Sequence, residues 1–346
     1  MDDAQRAFLD DLLSTPSPAG YERDGQAVWT AYVEGVADDV WTDDYGSAVG
    51  VVRGDGPTVA VAGHADEIGL IVRRIDDGGF VHPGAIGSVD PTTVRGRQVT
   101  IHGASGPVGG VVGQTPVHLR DERFDEREVA ELRIDVGAAD GDEAREVVEV
   151  GDPITVDSPA RELLGDRIAG RGMDNRVGGW VAAESLRRAA ERGVDATVYA
   201  VNTVQEEVSK LGARTVGSDL APDATFVVDV TFTADHPSSY PEKGGDVRLG
   251  DGPVVTRGSV NHPRLVSVLR EAAAAAGIET QLETTGNVPG TDTEVVAGRG
   301  GGRPAALVSV PSRYMHTPVE VVDTADLDAT ADLLAATAGR VAAEWG

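Results

Sequence analysis

Four short segments constrain the fold of this chain more than any other feature. Thr58-Val-Ala-Val-Ala-Gly63, Ala196 to Val204, Ala224 to Thr231 and Ala305 to Val310 are nearly continuous apolar runs rich in Val and Ala. A strand with one wet face alternates polar and apolar residues; a run without alternation is typical of a strand buried on both faces, as in the sheets of α/β proteins. Around these runs lie segments with helical patterning: Asp174 to Arg192 closed by Gly193, Pro263 to Ala276 closed by Gly277, and Thr324 to Trp345. Gln281 to Glu283 reads as an edge strand. Strands alternating with helices predict an α/β fold, a largely parallel sheet with helices on both faces.

The N-terminal part fits this frame. Ala4, Phe8, Leu12 and Leu13 give residues 3 to 15 an amphipathic helical spacing, Pro16-Ser-Pro-Ala-Gly20 breaks it, and a second helix is expected over Tyr21 to Val33. Strand-like pieces follow at Val49 to Val52 and Pro57 to Gly63. From about Leu70 to Asp157 the texture changes. Short β-type runs recur at Leu70 to Ile75, Phe80-Val81, Gln98 to His102, Val108 to Val112, Leu132 to Val136 and Ile154 to Val156, punctuated by Gly and Pro. That pattern predicts a small all-β unit, a barrel or a sandwich, inserted into the α/β unit. The expected division is therefore 1–69 with 158–346 as one α/β domain and 70–157 as the insert. Arg120 to Glu131 and Ala138 to Glu149 read as solvated charged surface.

Composition excludes several classes. There is no cysteine, hence no disulfide framework, thiolate metal site or thiol nucleophile. No apolar run approaches the roughly 20 residues of a spanning helix, and the acidic start Met1-Asp-Asp-Ala lacks a signal-peptide core, so a cytoplasmic location without membrane contact is expected. With 57 acidic residues against 30 basic ones, a net charge of -27, no nucleic-acid partner is expected. The acids are interleaved with apolar residues, and Lys210 and Lys243 are the only lysines among the basic residues. This composition resembles that of halophilic archaeal proteins, which tolerate self-repulsion because molar salt screens it.

In open α/β sheets, ligands bind beyond the carboxyl ends of the strands. Here those ends carry His64 and Asp66, Glu206 and Glu207, Asp229, and, after Pro-Ser-Arg-Tyr-Met, His316; Asp174 opens a helix. Imidazole with carboxylate and no thiolate suits Zn²⁺, Co²⁺ or Mn²⁺. So many carboxylates on one edge repel one another unless cations neutralise them. Each residue also has an ordinary reading. His64-Ala-Asp66 can be structural, Asp229 can close a turn, Glu206-Glu207 can be a solvated helix start, Asp174-Asn175 can be an N-cap, and His316 can be a bonded loop residue. Convergence on one sheet edge favours the site. The remaining histidines read as structural: His82 and His118 in Pro-flanked loops, His102 in a β-run, and His236 and His262 before prolines. The four tryptophans read as packing residues, and Gly298-Arg-Gly-Gly-Gly-Arg303 as a flexible surface loop.

Five ordered motifs carry a resemblance: Gly63-His-Ala-Asp-Glu-Ile-Gly69, Met173-Asp-Asn-Arg-Val-Gly178, Val204-Gln-Glu-Glu-Val208, Val228-Asp-Val-Thr231 and Tyr314-Met-His-Thr-Pro318. Together they resemble the glutamyl and tetrahedral aminopeptidase family of two-metal exopeptidases, some of which have been labelled endoglucanases. The resemblance implies that His64, Asp174 and Asp229 hold one metal ion and that Asp174, Glu207 and His316 hold the other, Zn²⁺ or Co²⁺, with Asp174 bridging. It further implies Glu206 as general base, Asp66 orienting the His64 ring, short peptides as substrates, and a homo-oligomer, often a tetrahedral dodecamer, built through the β insert. Val208-Ser-Lys-Leu-Gly-Ala213 departs from the family's usual stretch after the Glu-Glu pair, and Gly290-Thr-Asp-Thr-Glu294 resembles a family loop near the site. Two alternatives stay open: an amidase or deacylase of N-acylated amino acids, and a metal-stabilised binding or assembly protein without catalysis.

Overall fold

In a computed structural model that describes residues 1–119, 128–239, 245–298 and 303–345, the chain begins with two helices. Helix α1 (Asp3–Ser14) is capped by Asp2, whose carboxylate accepts from the Ala4 and Gln5 N–H groups while Gln5 returns a bond to the Asp2 N–H. It turns Phe8, Leu9, Leu12 and Leu13 inward. Helix α2 (Arg23–Val33) buries Trp29. Then come β1 (Asp39–Thr42), β2 (Ala48–Val52) and β3 (Thr58–His64). The insert follows: β4 (Gly69–Ile75), β5 (Val81–Ile86), a short α3 (Pro91–Val94), β6 (Gln98–Gly103), β7 (Gly106–Val112), β8 (Ile134–Asp135), α4 (Gly141–Arg145) and β9 (Pro153–Val156). These six strands close into a barrel in the order β4-β5-β8-β7-β6-β9, every described pair antiparallel. Closure removes the free edges that short strands would otherwise expose.

After a small hairpin, β10 (Arg161–Glu162) and β11 (Arg167–Gly170), the chain returns to the α/β unit with α5 (Met173–Glu191), β12 (Thr197–Thr203), α6 (Glu206–Ser209), α7 (Leu211–Asp219) and β13 (Ala224–Phe232). The remaining elements are β14 (Val254–Arg257), α8 (Pro263–Ala276), β15 (Gln281–Thr284), α9 (Thr293–Val296), β16 (Ala305–Ser312), β17 (Glu320–Asp323) and α10 (Thr324–Trp345). The large sheet has the order β1-β2-β12-β3-β13-β16-β14-β15. Its centre, β12-β3-β13-β16, is parallel, as the unalternating runs predict, and β2 and β14 join it antiparallel. Alternate residues of β3 face opposite ways. Val59 and Val61 join the main core with α1, α2, α5, α8 and α10, whereas Ala62 joins Val49, Val201 and Val216 under α7. Helices thus cover both faces.

Two expectations for the insert need correction. Ala138 to Glu149 is not all solvated surface: Ala144 of α4 and Val148, just beyond its end, are buried in the barrel core. His82 lies on β5 rather than in a loop, paired at 2.8 Å with Asp76. Residues 120–127 of the first charged stretch, and 299–302 of the Gly298–Arg303 loop, lie outside the described residues; Val129, beyond the former, is buried in the barrel core. Trp29 and Trp180 are fully buried, whereas Trp41 meets Tyr199 edge-on at the surface. Among the described residues, no helix is long and apolar enough to cross a membrane.

Candidate metal centre

The parallel strands all deliver their carboxyl ends to one edge, and the site is built there. His64 is the last residue of β3 and pairs in register with Thr203 at the end of β12. Asp229 lies in the C-terminal half of β13, opposite Ser309 of β16. Helix α5 runs directly under β3, because Gly63 faces Gly178 and Gly179 with no room for a side chain. That approach brings Asp174, at the start of α5, to His64. The first residues of α5, Asp174 and Asn175, are not helical; Asn175 Oδ1 accepts the Gly178 N–H at 2.9 Å, and so supplies the N-cap bond expected of the Asp174-Asn175 pair.

Asp174 is shared. One of its oxygens lies 3.3 Å from His64 Nε2, and the other lies 3.3 Å from His316 Nε2. Asp229 is 3.9 Å from His64 Nε2, and Glu207 is 3.5 Å from His316 Nε2. The described residues therefore contain two clusters with nearby donor atoms, His64–Asp174–Asp229 and Asp174–Glu207–His316. Glu206 stands beside both, with Oε2 4.0 Å from His64 Nε2. Oε1 of Glu206 and Oε1 of Glu207 are buried and accept no hydrogen bond.

Backbone geometry aims these groups. Gln205, Lys210, Tyr314 and His316 all have positive φ, between 53° and 62°, a costly conformation for residues with side chains that clusters at functional sites. Asp66, wholly buried, accepts the Glu206 N–H on Oδ1 and the Glu207 N–H on Oδ2, both at 3.0 Å. The same Oδ1 lies 3.3 Å from His64 Nδ1. His64 Nδ1 also lies 3.1 Å from the Asp66 carbonyl oxygen, so Asp66 steadies the imidazole through backbone and side chain and the Glu-Glu turn through its carboxylate.

Sequence reasoning assigned no role to four supporting acids or bases. Glu320, on β17, accepts the Asp174 N–H at 3.2 Å and the His316 N–H at 2.8 Å. Glu22 accepts the Gln205 N–H at 3.0 Å. Asp292, in the Gly290–Glu294 stretch, accepts from the Thr203 hydroxyl at 2.6 Å. Lys210 Nζ lies 3.7 Å from Glu206 and 3.3 Å from Glu294. The other histidines lie away from the clusters. His102 bonds the Thr155 hydroxyl, His236 packs edge-on against Tyr314, His262 precedes α8, and His118 lies in a 3₁₀ turn.

The electrostatics call for positive charge. Burial, reinforced by Asp229 and Asp292 and opposed by His64, pushes Glu206 up to about 9. Burial and the Asp174 charge push Asp229 up to about 8, and raise Glu207 well above the carboxylate range. Asp174 goes the other way. Burial disfavours its charge, but hydrogen bonds from His316 and His64 outweigh burial and hold it low. His64 is lifted well above its ordinary range; burial opposes this, and Asp66 and Asp174 prevail.

Divalent cations fit this donor set. A tetrahedral ion with ligands at about 2.0–2.1 Å sets its donors roughly 3.3–3.4 Å apart. The pairs at 3.3, 3.3 and 3.5 Å lie close to that spacing, with Asp229 at 3.9 Å needing a small adjustment. The unsatisfied carboxylate oxygens and the carboxylates driven toward protonation are what two cations would relieve.

A model of the M42 glutamyl aminopeptidase family matches residues 46–333. The lysyl aminopeptidase of Pyrococcus furiosus is 33% identical over 328 residues, 93% of this chain and 93% of that protein. The solved TET aminopeptidase of a marine-sediment Thaumarchaeota archaeon superposes with a TM-score of 0.93 at 30% identity, covering 98% of this chain and 97% of that one. The TET1 peptidase of Pyrococcus horikoshii, which can assemble into a tetrahedron or a large octahedral shell, superposes with a TM-score of 0.86 at 28% identity, covering 96% and 99%.

Proposed function

The chain belongs to the M42 glutamyl aminopeptidase family and is a metal-dependent aminopeptidase, and from that premise we propose how its own residues divide the work. His64, Asp174 and Asp229 would hold one divalent ion, and Asp174, Glu207 and His316 a second, Zn²⁺ or Co²⁺ in each case. Bound there, the ions would acidify a shared water, polarise the scissile carbonyl and anchor a free α-amine. The observation that carries this reading is Asp174, whose two oxygens each face a different histidine at 3.3 Å.

Glu206 is the general base. It adjoins both clusters without belonging to either, and its Oε1 is buried with no hydrogen bond. A desolvated carboxylate binds a proton more tightly than one in water, and can return that proton to the leaving amine. Asp66 holds the two N–H groups of the Glu-Glu turn, so Glu206 stays where the water must be deprotonated. The substrates are short peptides with a free N-terminus.

Activity on aminoacyl-nitroanilides should vanish with excess chelator and return with Zn²⁺ or Co²⁺; activity that persists in chelator sinks the reading. Glu206→Gln should keep two metal ions per chain by elemental analysis while losing roughly 10²–10⁴-fold in kcat.

We further assign 1–69 with 158–346 to catalysis and 70–157 to assembly into a homo-oligomer, a tetrahedral dodecamer. Two apolar side chains of the insert, Val117 and Leu119, are 65% and 75% exposed, a surface that suits burial against another subunit. Val117→Asp with Leu119→Asp should reduce the mass seen by light scattering; an unchanged mass removes the barrel from the interface.

A further inference from the structure

Beside the two clusters lies a cavity of about 520 Å³, within the range of small-molecule sites. Asp174, Glu206, Glu207, Asp229 and His316 line it, and so does an acid to which neither the clusters nor the proton transfer gives a part, Glu283 on the edge strand β15. Glu283 is held by hydroxyls from three other strands of the large sheet. The Thr231 hydroxyl on β13 donates to Oε2 at 2.7 Å, and the Thr256 hydroxyl on β14 donates to Oε1 at 2.6 Å. The Ser309 hydroxyl on β16 lies 3.5 Å from the same Oε1. Among the described residues its hydrogen-bond partners are these hydroxyls, and none is a cation. Each carboxylate oxygen offers more than one lone pair, so acceptor capacity remains on both.

The cavity's lysine is already committed. Lys210 Nζ sits between Glu206 and Glu294. The lining of the same cavity includes Leu307, Val288 and Met315, apolar surface suited to the aliphatic stem of a long basic side chain.

We propose that Glu283 selects the first side chain of the substrate, and that it selects a basic one, lysyl or arginyl. The inference rests on the aminopeptidase reading: a free amine and scissile carbonyl held at the clusters place the first side chain in this cavity. A basic group there gains a charge-assisted hydrogen bond to a carboxylate already positioned by two threonines. An acidic side chain meets like charge. A neutral one leaves Glu283 stripped of water with only hydroxyls in return.

The test is kcat/KM for lysyl-, arginyl-, leucyl- and glutamyl-p-nitroanilide with the wild-type protein, Glu283→Gln and Glu283→Arg. Wild type should favour the basic substrates over the glutamyl one. Glu283→Gln should cut the lysyl-to-leucyl ratio roughly 10–100-fold, the range of a hydrogen bond to a charged group, and Glu283→Arg should turn the preference toward glutamyl. A wild type that favours leucyl or glutamyl, or a ratio that Glu283→Gln leaves unchanged, overturns the proposal. The wild-type panel decides the matter without any variant, so a misfolded Glu283→Gln does not shelter the idea. Chelator-sensitive leucyl cleavage without basic preference would refute this inference alone, whereas failure to cleave any unblocked aminoacyl substrate would refute the aminopeptidase reading beneath it.

Discussion

Gly63→Ala tests whether the close approach of β3 and α5 sets the geometry of the site. A Cβ at Gly63 would lie 2.3 Å from the Gly178 carbonyl carbon, 2.6 Å from its oxygen and 2.6 Å from the Gly179 nitrogen. These are backbone atoms of a helix buried nearly all round, so no side chain can swing aside. Carbon atoms in contact sit best at about 3.5 Å or more, so the helix must retreat by roughly 1.2 Å, 3.5 minus 2.3. His64 adjoins Gly63 and Asp174 opens that helix, so the retreat falls on a donor pair now 3.3 Å apart. A misplacement of about 1 Å costs on the order of 10²-fold in rate, and overpacking costs about 1–3 kcal/mol of stability. The assay is kcat/KM on an aminoacyl-nitroanilide, with metal content by elemental analysis and circular dichroism as a check of fold. Gly109→Ala is the control, since a Cβ there meets nothing within 4 Å. If Gly63→Ala keeps its fold, its metal and its wild-type rate within about twofold, where about 10²-fold is expected, the idea that this contact sets the site is wrong.

Three other outcomes follow from the same coordinates. Glu67 accepts hydrogen bonds from Arg171, from Arg176 at 2.7 Å and from the Ser17 N–H at 3.0 Å, and both Glu67 and Arg176 are 2% exposed. Glu67→Gln removes the counter-charge of two guanidinium groups, leaving Arg176 the Leu12 and Thr15 carbonyls, and should cost about 3–5 kcal/mol in urea denaturation; a loss below about 1 kcal/mol would show that water or these carbonyls replace the carboxylate. Asp326, buried first and then repelled by Asp323 and Asp251, is pushed up to about 6 despite N–H bonds from Gly250 and Gly252. Its carboxyl binds a proton more tightly folded than unfolded, so it favours folding at low pH and that advantage is lost as pH rises from about 4 to about 6. The stability of Asp326→Asn relative to wild type should therefore improve by roughly 2–3 kcal/mol between about pH 4 and pH 7, and a flat difference would contradict the buried charge. A net charge of -27 should make the melting temperature climb between about 0.1 M and 1 M KCl, as the Debye length falls from roughly 10 Å to roughly 3 Å; a flat or falling melting temperature argues against a salt-adapted surface.

The parts of the site readable in the sequence share one cause. A central strand buried on both faces leaves an apolar run, and the first ionisable residue after it marks the strand end, as His64 does after β3 and Glu206 after β12. Asp229 is legible by its exception, a carboxylate inside such a run. What could not be read depends on tertiary distance. Glu320 ties the Asp174 N–H, 146 positions away, to that of His316, and nothing around Glu320 in sequence announces it. Glu283 is paired with hydroxyls 52 and 27 positions away, on β13 and β14, which only the folded sheet brings within reach of β15. The α4 segment misled for a different reason. Over Ala138 to Glu149 five acids match five Ala and Val residues without a helical stripe, yet Ala144 of α4 and Val148 just beyond it are buried in the barrel core.

The adjacent carboxylates Glu206 and Glu207 show why sequence proximity does not imply shared duty. Gln205, left-handed at φ 56°, ends the direction of β12, and Asp66 then takes one N–H from each glutamate. With their backbones fixed by the same acceptor, the side chains diverge. Glu207 reaches to 3.5 Å from His316, and Glu206 toward Lys210 at 3.7 Å. Removing one methylene from either withdraws a carboxylate by about 1.5 Å, and the two losses should differ in kind. Glu207→Asp pulls a donor out of a cluster whose spacing already suits an ion, so metal content should fall, and with it activity, until metal is supplied in excess. Glu206→Asp leaves both clusters whole, so metal content should hold while kcat drops and excess metal restores nothing. Equal metal loss in both variants would mean that Glu206 is a ligand, and the proton would then need another carrier.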